Sequence, residues 1–186
     1  MFEPGDPVLY MKIGTHAQED LAEIIARKRK EIEDAGLAMW GYGGNTCHPL
    51  SMVQPFARSQ VEVGRRIILA MESMDSRHFA EQVRAEFYSA DGVTWGEVPK
   101  AINVLGSRYA LCVRSLEVAE TELDLGMTRV AIGNSRGRRG NQYVKGRVDK
   151  ACLEVTADID SPESHVIKPI GFVAELVEPF AVFLKN

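Results

Sequence analysis

The residues from Trp40 to Pro49, with the sequence W-G-Y-G-G-N-T-C-H-P, combine glycines, aromatics and polar or reactive side chains. Glycines allow a backbone to approach a ligand closely. Trp40 and Tyr42 supply stacking faces with a polar edge, and the residues after them supply hydrogen-bonding groups. We therefore expect this 40–49 loop to hold a flat heteroaromatic ligand such as a base or a nucleotide. The expected contact residues are Trp40, Tyr42, Asn45 and His48.

Two other interpretations of the 40–49 loop are open. Trp40 and Tyr42 could fill the hydrophobic core while the glycines only turn the chain. Alternatively, in an enzyme acting on a nucleotide or a phosphorylated substrate, His48 could be the general acid or base, with Cys47 assisting. Adjacent residues of an extended segment point to opposite sides, so Cys47 and His48 are poorly placed to share a proton. A buried and inert Cys47 is the simpler expectation.

A second candidate site is the segment 133–150, which is rich in arginine and glycine. Two β-rich runs, 128–132 and 142–148, flank its glycines and predict a β-hairpin with a long tip. Positions 136–150 hold six cations and one acid, so this stretch carries +5 and the rest of the chain −9. Guanidinium groups match the geometry of phosphates. The residues expected to contact phosphates or a base are Arg136, Arg138, Arg139, Tyr143, Lys145 and Arg147.

The basic hairpin also has alternatives. It could be a solvated tip that protects a strand edge from aggregation, or it could dock on an acidic protein partner. Taken together, the two segments predict a module that binds a nucleotide or the phosphates of a nucleic acid. Because the rest of the chain is acidic, a small or specifically docked phosphate ligand is favoured over coating of a duplex.

The surrounding sequence indicates the elements that position these segments. Apolar residues at helical spacing predict a helix from about His16 to Ala35, which Gly36 would end. The four cations 27–30 of this helix have acids four residues away, and we interpret them as a solvated face. A second helix is predicted toward Gly64, and a third between about 76 and 87.

From about residue 102 onward the pattern is mostly that of short strands. The sequence therefore predicts a single α+β domain over residues 1–186. Helices are expected mainly in the N-terminal half, and a mostly antiparallel, possibly barrel-like sheet in the C-terminal half. Pro179 lies inside the last predicted strand, 177–184, and is expected to make it an edge strand or to delay its start.

Composition limits the class of protein. The chain has 186 residues, a net charge of −4 and 45% apolar residues, which is typical of a globular protein. No run approaches the ~20 apolar residues of a membrane span, so no membrane contact is expected. Three widely spaced cysteines and the lack of a secretory signal favour the cytoplasm. The histidines are scattered, so no metal site is expected, and neither a dinucleotide-binding nor a Walker glycine motif is present.

Overall fold

The computed structural model describes residues 2–43, 48–78, 80–146 and 148–186, with the backbone alone for 76–78. Its helices are α1 (Leu21–Ala35), α2 (Leu50–Glu62) and the short α3 (Gly140–Tyr143). Its strands are β1 (Pro7–His16), β2 (Ala38–Tyr42), β3 (Ile68–His78), β4 (Phe87–Ser89), β5 (Gly96–Glu97), β6 (Tyr109–Val113), β7 (Glu117–Asp124), β8 (Thr128–Val130), β9 (Lys150–Val155) and β10 (Ile167–Lys185).

All ten strands belong to one connected sheet, whose main path runs β2-β6-β10-β3-β1-β9-β8. The long strand β10 also pairs with β4 and β7, and β4 pairs with β5. β1 and β3 are parallel, and the other pairs are antiparallel. The predicted α+β class, with helices mainly in the N-terminal half, is confirmed. The possible barrel is not: the sheet stays open, because β2 and β8 end the path.

Helix α1 begins later than predicted. Thr15 and His16 belong to the end of β1, and two residues with positive φ turn the chain toward the helix. Asp20 then caps α1: its carboxylate accepts from the amide of Glu23, and the Glu23 carboxylate accepts from the amide of Asp20. The predicted end is confirmed, since Gly36 adopts φ +79° as the left-handed cap.

The predicted third helix is wrong, and the last predicted strand belongs to a longer one. Where the helix was predicted to begin, the residues up to His78 belong to β3, which pairs with β1 and β10. Where it was predicted to end, Phe87 begins β4. Phe79 lies outside the described residues. The last predicted strand is the end of the 19-residue β10, in which residues 172–175 pair with β3, 181–183 with β6 and 183–185 with β4. Pro179 falls where the register between β10 and β6 is interrupted, so its missing N–H costs no ladder hydrogen bond.

The helices α1 and α2 pack on one side of the sheet and cover its largest hydrophobic cluster. This cluster joins the apolar side chains of both helices to those of β1, β2 and β3. It includes Leu9, Met11, Ile13, Ile24, Ile25, Trp40, Tyr42, Val53, Phe56 and Leu69. Burial of these apolar surfaces holds β2 against the end of β1 and α1. No helix of the described residues is long and apolar enough to cross a membrane.

Candidate functional site

Trp40 and Tyr42 lie in a strand, not in an irregular loop as predicted. They occupy alternate positions of β2, which pairs with β6, and both side chains belong to the cluster beneath α1. Gly41 between them is required by a close approach, because a Cβ there would lie 2.3 Å from the Ser107 hydroxyl oxygen. The alternative that these aromatics fill the core is therefore correct for most of their surface. Both nevertheless also line a cleft.

This cleft, of about 280 Å³, lies where the end of β1 meets α1 and β2. One wall is apolar and is formed by Met11, Ile13, Ile24, Trp40 and Met74. Three of the polar side chains that line it are cations, Lys12, Arg27 and Lys28, and the others are Thr15, His16, Tyr42 and Asp149. An apolar pocket with a few convergent polar groups is the usual form of a small-molecule site. We call it the β1–α1–β2 cleft.

Tyr42 lines the β1–α1–β2 cleft, but its hydroxyl is enclosed by the protein. It is buried and has no hydrogen-bond partner within the described part of the chain. The ring stacks on Tyr109 at 5.4 Å between centroids, and the Lys150 ammonium lies 4.5 Å from the centroid of the Tyr42 ring. Burial raises the pKa of Tyr42, so the hydroxyl stays protonated. A buried hydroxyl without a hydrogen-bond partner costs free energy.

Of the cations 27–30, Arg29 and Lys30 are exposed as predicted, whereas Arg27 and Lys28 are not. Lys28 is 2% exposed, and its ammonium lies 2.9 Å from both carboxylate oxygens of Glu31, which is 1% exposed. Arg27 is partly buried, forms ion pairs with Glu19 and Glu31, and donates to the carbonyl of Asn103. Burial lowers the pKa of Lys28 to about 8, and the Glu31 charge opposes this shift. Lys28 therefore carries its charge at neutral pH.

His48 is 4% exposed and adopts φ +43°. Its Nδ1 accepts a hydrogen bond from the backbone N–H of Cys152 at 2.7 Å. Burial, and to a smaller extent the Lys150 charge, lower the pKa of His48 to about 4. The imidazole is thus neutral at pH 7 and links the start of α2 to β9. Two other candidates of the predicted loop, Asn45 and Cys47, lie outside the described residues.

The basic segment 133–150 differs from the predicted hairpin in one strand. β8 and β9 are antiparallel neighbours, but the run 142–148 is not a strand, because α3 and a turn occupy this part of the connection. A β-rich composition alone does not make a run a strand, because a strand also needs a neighbouring strand to pair with. Three cations are exposed there: Arg136, Arg138 and Lys145. Tyr143 is partly buried, and Arg147 lies outside the described residues.

Arg139 is not available at the surface as predicted. It is 3% exposed, and its guanidinium donates to the carboxylates of Asp158 and Asp160, to the Thr156 hydroxyl and to the Asp158 carbonyl. These contacts fix the connection before α3 against the segment that follows β9. Arg139 thereby holds its exposed neighbours Arg136 and Arg138 in place, and it does not face a ligand.

Replacement of Arg139 by alanine is expected to destabilise the protein by about 2 kcal/mol, because it removes several hydrogen bonds to a charged group. The partner carboxylates are exposed and return to water, which limits the loss. Arg136→Ala is the matched control, and its free energy of unfolding should change by less than about 0.5 kcal/mol. Urea unfolding of the two variants measures this difference. Equal stabilities would show that the Arg139 ion pairs hold nothing in place.

The two predicted segments meet on the same part of the molecule. The rings of His48 and Tyr143 lie 5.1 Å apart between centroids, and Asp149 lines the β1–α1–β2 cleft. The ammonium of Lys12, which lines the cleft, lies 3.5 Å from the carbonyl oxygen of Gly146. A second, shallower pocket of about 160 Å³ is lined by residues of both segments. Of the exposed cations, Arg136 follows the pocket residues 133–135 in the chain, and Lys145 precedes Gly146.

Sequence reasoning missed the cations inside the cleft, above all Lys28. Its position carried a signal, because Lys28 is in phase with the apolar residues Leu21, Ile24, Ile25 and Ile32 of α1. An in-phase lysine on the buried stripe indicates a buried, paired charge. Lys150 gave a similar signal, since it alternates with the buried Cys152 along β9.

Within residues 2–43, 48–78, 80–146 and 148–186, no three or more His, Cys, Asp or Glu side chains are grouped so that they could hold a metal ion. The polar side chains of the cleft include three cations, Lys12, Arg27 and Lys28, beside the one carboxylate of Asp149. They suit a ligand that carries hydrogen-bond acceptors or negative charge. Comparison with known proteins gave no match to a family model, to a curated protein or to a solved structure.

Proposed function

We propose that this protein binds a nucleotide, either free or as one unit of a single-stranded nucleic acid. The base would enter the β1–α1–β2 cleft, and the phosphates would contact Arg136, Arg138 and Lys145. The observation that carries the proposal is a cleft lined by the Trp40 ring and by the three cations Lys12, Arg27 and Lys28.

The size and lining of the cleft support a single small ligand. Its volume of about 280 Å³ lies at the lower end of ligand pockets. Trp40 offers a flat apolar wall, against which a base can pack. A duplex does not fit such a cleft, whereas an unpaired base can enter it.

The charge distribution supports phosphate contacts next to the cleft. The segment 136–150 is strongly positive and the remainder of the chain is acidic. Although Arg139 is used internally, three cations of this segment are exposed. An acidic body repels a polyanion except near these side chains. We further propose a cytoplasmic location, which the free thiols of Cys112 and Cys152 support.

Fluorescence of Trp40 tests the proposal directly. In a Trp95→Phe background Trp40 is the only tryptophan, so its emission reports on the cleft. Uridine monophosphate and a ten-nucleotide oligothymidylate are expected to quench it in a saturable way. The double substitution Arg136→Ala and Arg138→Ala should weaken oligonucleotide binding about tenfold at low salt and should lower the salt slope by about 2.

The control removes two exposed cations that do not line the cleft, Arg58 and Lys100. Arg58→Ala with Lys100→Ala changes the net charge equally, so binding should stay within about twofold of the parent. Two results would contradict the proposal. One is no saturable quenching by either probe up to about 1 mM. The other is an equal loss of affinity in both double variants, because binding would then follow net charge alone.

A further inference from the structure

One long strand of the sheet is paired on one side only. β7 has eight residues, Glu117–Asp124, and in the described part of the chain it pairs with β10 alone. Its other side, which we call the β7 edge, carries main-chain groups that no second strand covers. A shallow groove of about 710 Å³ is lined by residues 119–122 of β7 and 169–171 of β10. An unpaired strand edge is a template on which another extended chain can add.

The ladder between β7 and β10 shows which main-chain groups point outward. In antiparallel strands, pairs that exchange two hydrogen bonds alternate with pairs that exchange none. The N–H of Leu125 donates to the carbonyl of Val166, so by alternation the pair of Glu122 and Pro169 exchanges no hydrogen bonds. Pro169 has no N–H, which agrees with this assignment. The N–H and C=O of Glu122 therefore point away from β10, toward the unpaired side.

The side chains along β7 carry negative charge that the protein leaves uncompensated. Glu117, Glu120 and Glu122 are exposed. Among the described residues, no lysine, arginine or histidine forms an ion pair with any of the three. Lys168 on the neighbouring β10 is paired with Glu72 instead. The β7 edge thus presents outward main-chain groups together with free carboxylates.

These charges decide which chain can add to the β7 edge. A second copy that paired through the same edge would bring the three glutamates of each copy into one interface, and like charges opposite each other destabilise a strand pair. The basic residues 136–145 of this chain form turns and α3, so they offer no extended strand either. A lysine or arginine opposite each glutamate instead contributes a favourable cross-strand pair. The glutamates therefore select against self-association and for a strand of opposite charge.

We propose that the β7 edge binds an extended segment of a partner protein, with lysine or arginine at alternate positions, by strand addition. Main-chain hydrogen bonds, including those to the N–H and C=O of Glu122, hold the segment. The glutamates set its register and exclude acidic partners. The inference goes beyond nucleotide binding and uses another surface, because β7 contributes no residue to the lining of the β1–α1–β2 cleft.

A labelled peptide tests the charge preference. The probe is a fluorescein-labelled peptide of about nine residues, in which lysine alternates with threonine. Its fluorescence anisotropy should rise in a saturable way with protein concentration, with a Kd below about 1 mM at low salt. The same peptide with glutamate in place of lysine should not bind. Glu120→Gln with Glu122→Gln should weaken binding of the lysine peptide about fivefold. The control Glu97→Gln with Glu154→Gln removes two exposed acids of other strands, and binding should stay within about twofold of the parent.

A second pair of variants tests the main-chain contact. Glu122→Gln and Glu122→Pro both remove the charge, but only proline also removes the outward N–H. Because this N–H makes no hydrogen bond to β10, the thermal unfolding midpoints of the two variants should agree within about 3 °C. The proline variant should nevertheless bind the lysine peptide about fivefold more weakly than the glutamine variant, which corresponds to the loss of one hydrogen bond.

Four results would overturn the proposal. The first is no saturable binding of the lysine peptide up to about 1 mM protein. The second is an equal loss of affinity in both double variants, because binding would then follow net charge alone. Equal affinities of Glu122→Pro and Glu122→Gln would show that only side chains are contacted, and would exclude strand addition. NMR of the parent protein gives a measurement that does not depend on the proline variant: the largest amide shifts on peptide binding should lie in residues 117–124, and largest shifts elsewhere would exclude the site.

Discussion

Replacement of Glu31 by glutamine is expected to destabilise the folded protein by about 3–5 kcal/mol, the usual cost of breaking a buried ion pair on one side. The Glu31 carboxylate is 1% exposed and is the only carboxylate that contacts the Lys28 ammonium in the described part of the chain. Glutamine keeps the shape and an acceptor for the Asn103 N–H, but removes the charge. The remaining described partner of Lys28 is the Asn103 carbonyl oxygen at 3.3 Å. Urea unfolding at pH 7 measures the loss.

The loss in Glu31→Gln should depend on pH in a defined direction. Without its counter-ion, the buried Lys28 is expected to lose its proton near neutral pH, whereas in the unfolded chain it keeps an ordinary pKa of 10.5. The unfolded state then binds more protons than the folded state above pH 7, so the stability of the variant rises with pH. At pH 9 the difference from the parent protein should be smaller than at pH 7.

Two further variants test the origin of this loss. Lys28→Met together with Glu31→Gln removes both charges, and its stability should return to within about 1.5 kcal/mol of the parent. Glu33→Gln changes an exposed acid of the same helix, and its effect should stay below about 0.5 kcal/mol. If the double variant is as unstable as Glu31→Gln alone, Glu31 acts through its hydrogen bonds to Arg27 and Asn103, and the pairing with Lys28 contributes little.

The parts of the fold that the sequence predicts correctly are those set by local chemistry. Gly36 ends α1 because a left-handed cap favours glycine, and this needs no tertiary context. The start of α1 is ambiguous, since T-x-x-Q at Thr15 and D-x-x-E at Asp20 both fit a capping box. The choice between them depends on β1, which extends to His16 by pairing with β3. Non-local strand pairing thus decides an element boundary.

The cleft could not be predicted because it joins residues that are distant in the sequence. β1, α1, β2 and the residues 104–105 contribute to it, and it exists only once the sheet brings β2 against the end of β1. The type of a residue also does not show whether it is exposed. Arg138 and Arg139 are adjacent and chemically equal, yet Arg138 is exposed, whereas Arg139 is buried and forms ion pairs with Asp158 and Asp160. What the sequence did provide is the pair of segments that border the cleft.

His48 is expected to make the folded protein less stable at acidic pH. Between pH 7 and pH 5 this residue alone is expected to remove about 2 kcal/mol of stability. Its pKa is about 4 in the folded protein, lowered mainly by burial from an ordinary value of 6.5. In this window the unfolded chain therefore binds a proton that the folded protein excludes. The stabilisation is complete above pH 6.5 and is lost as the pH falls toward 4.

His48→Asn isolates this effect. Asparagine tolerates the positive φ of +43° at this position, and its side-chain oxygen can accept from the Cys152 N–H in place of Nδ1. At pH 7 the variant should be slightly less stable, because the ring contact with Tyr143 is lost. Its stability should nevertheless fall about 2 kcal/mol less than that of the parent between pH 7 and pH 5. All carboxylates are shared by the two proteins, so the difference belongs to His48.

An NMR titration of the imidazole provides the independent measurement. If the ring is buried as an acceptor, its chemical shifts should stay those of the neutral form at pH 5.5, where an ordinary histidine is mostly protonated. A ring that titrates near pH 6.5 would contradict the buried, hydrogen-bonded placement of His48. It would also make the imidazole available for proton transfer near neutral pH. The acid stability of this protein therefore discriminates between His48 as a structural link and His48 as a general acid or base.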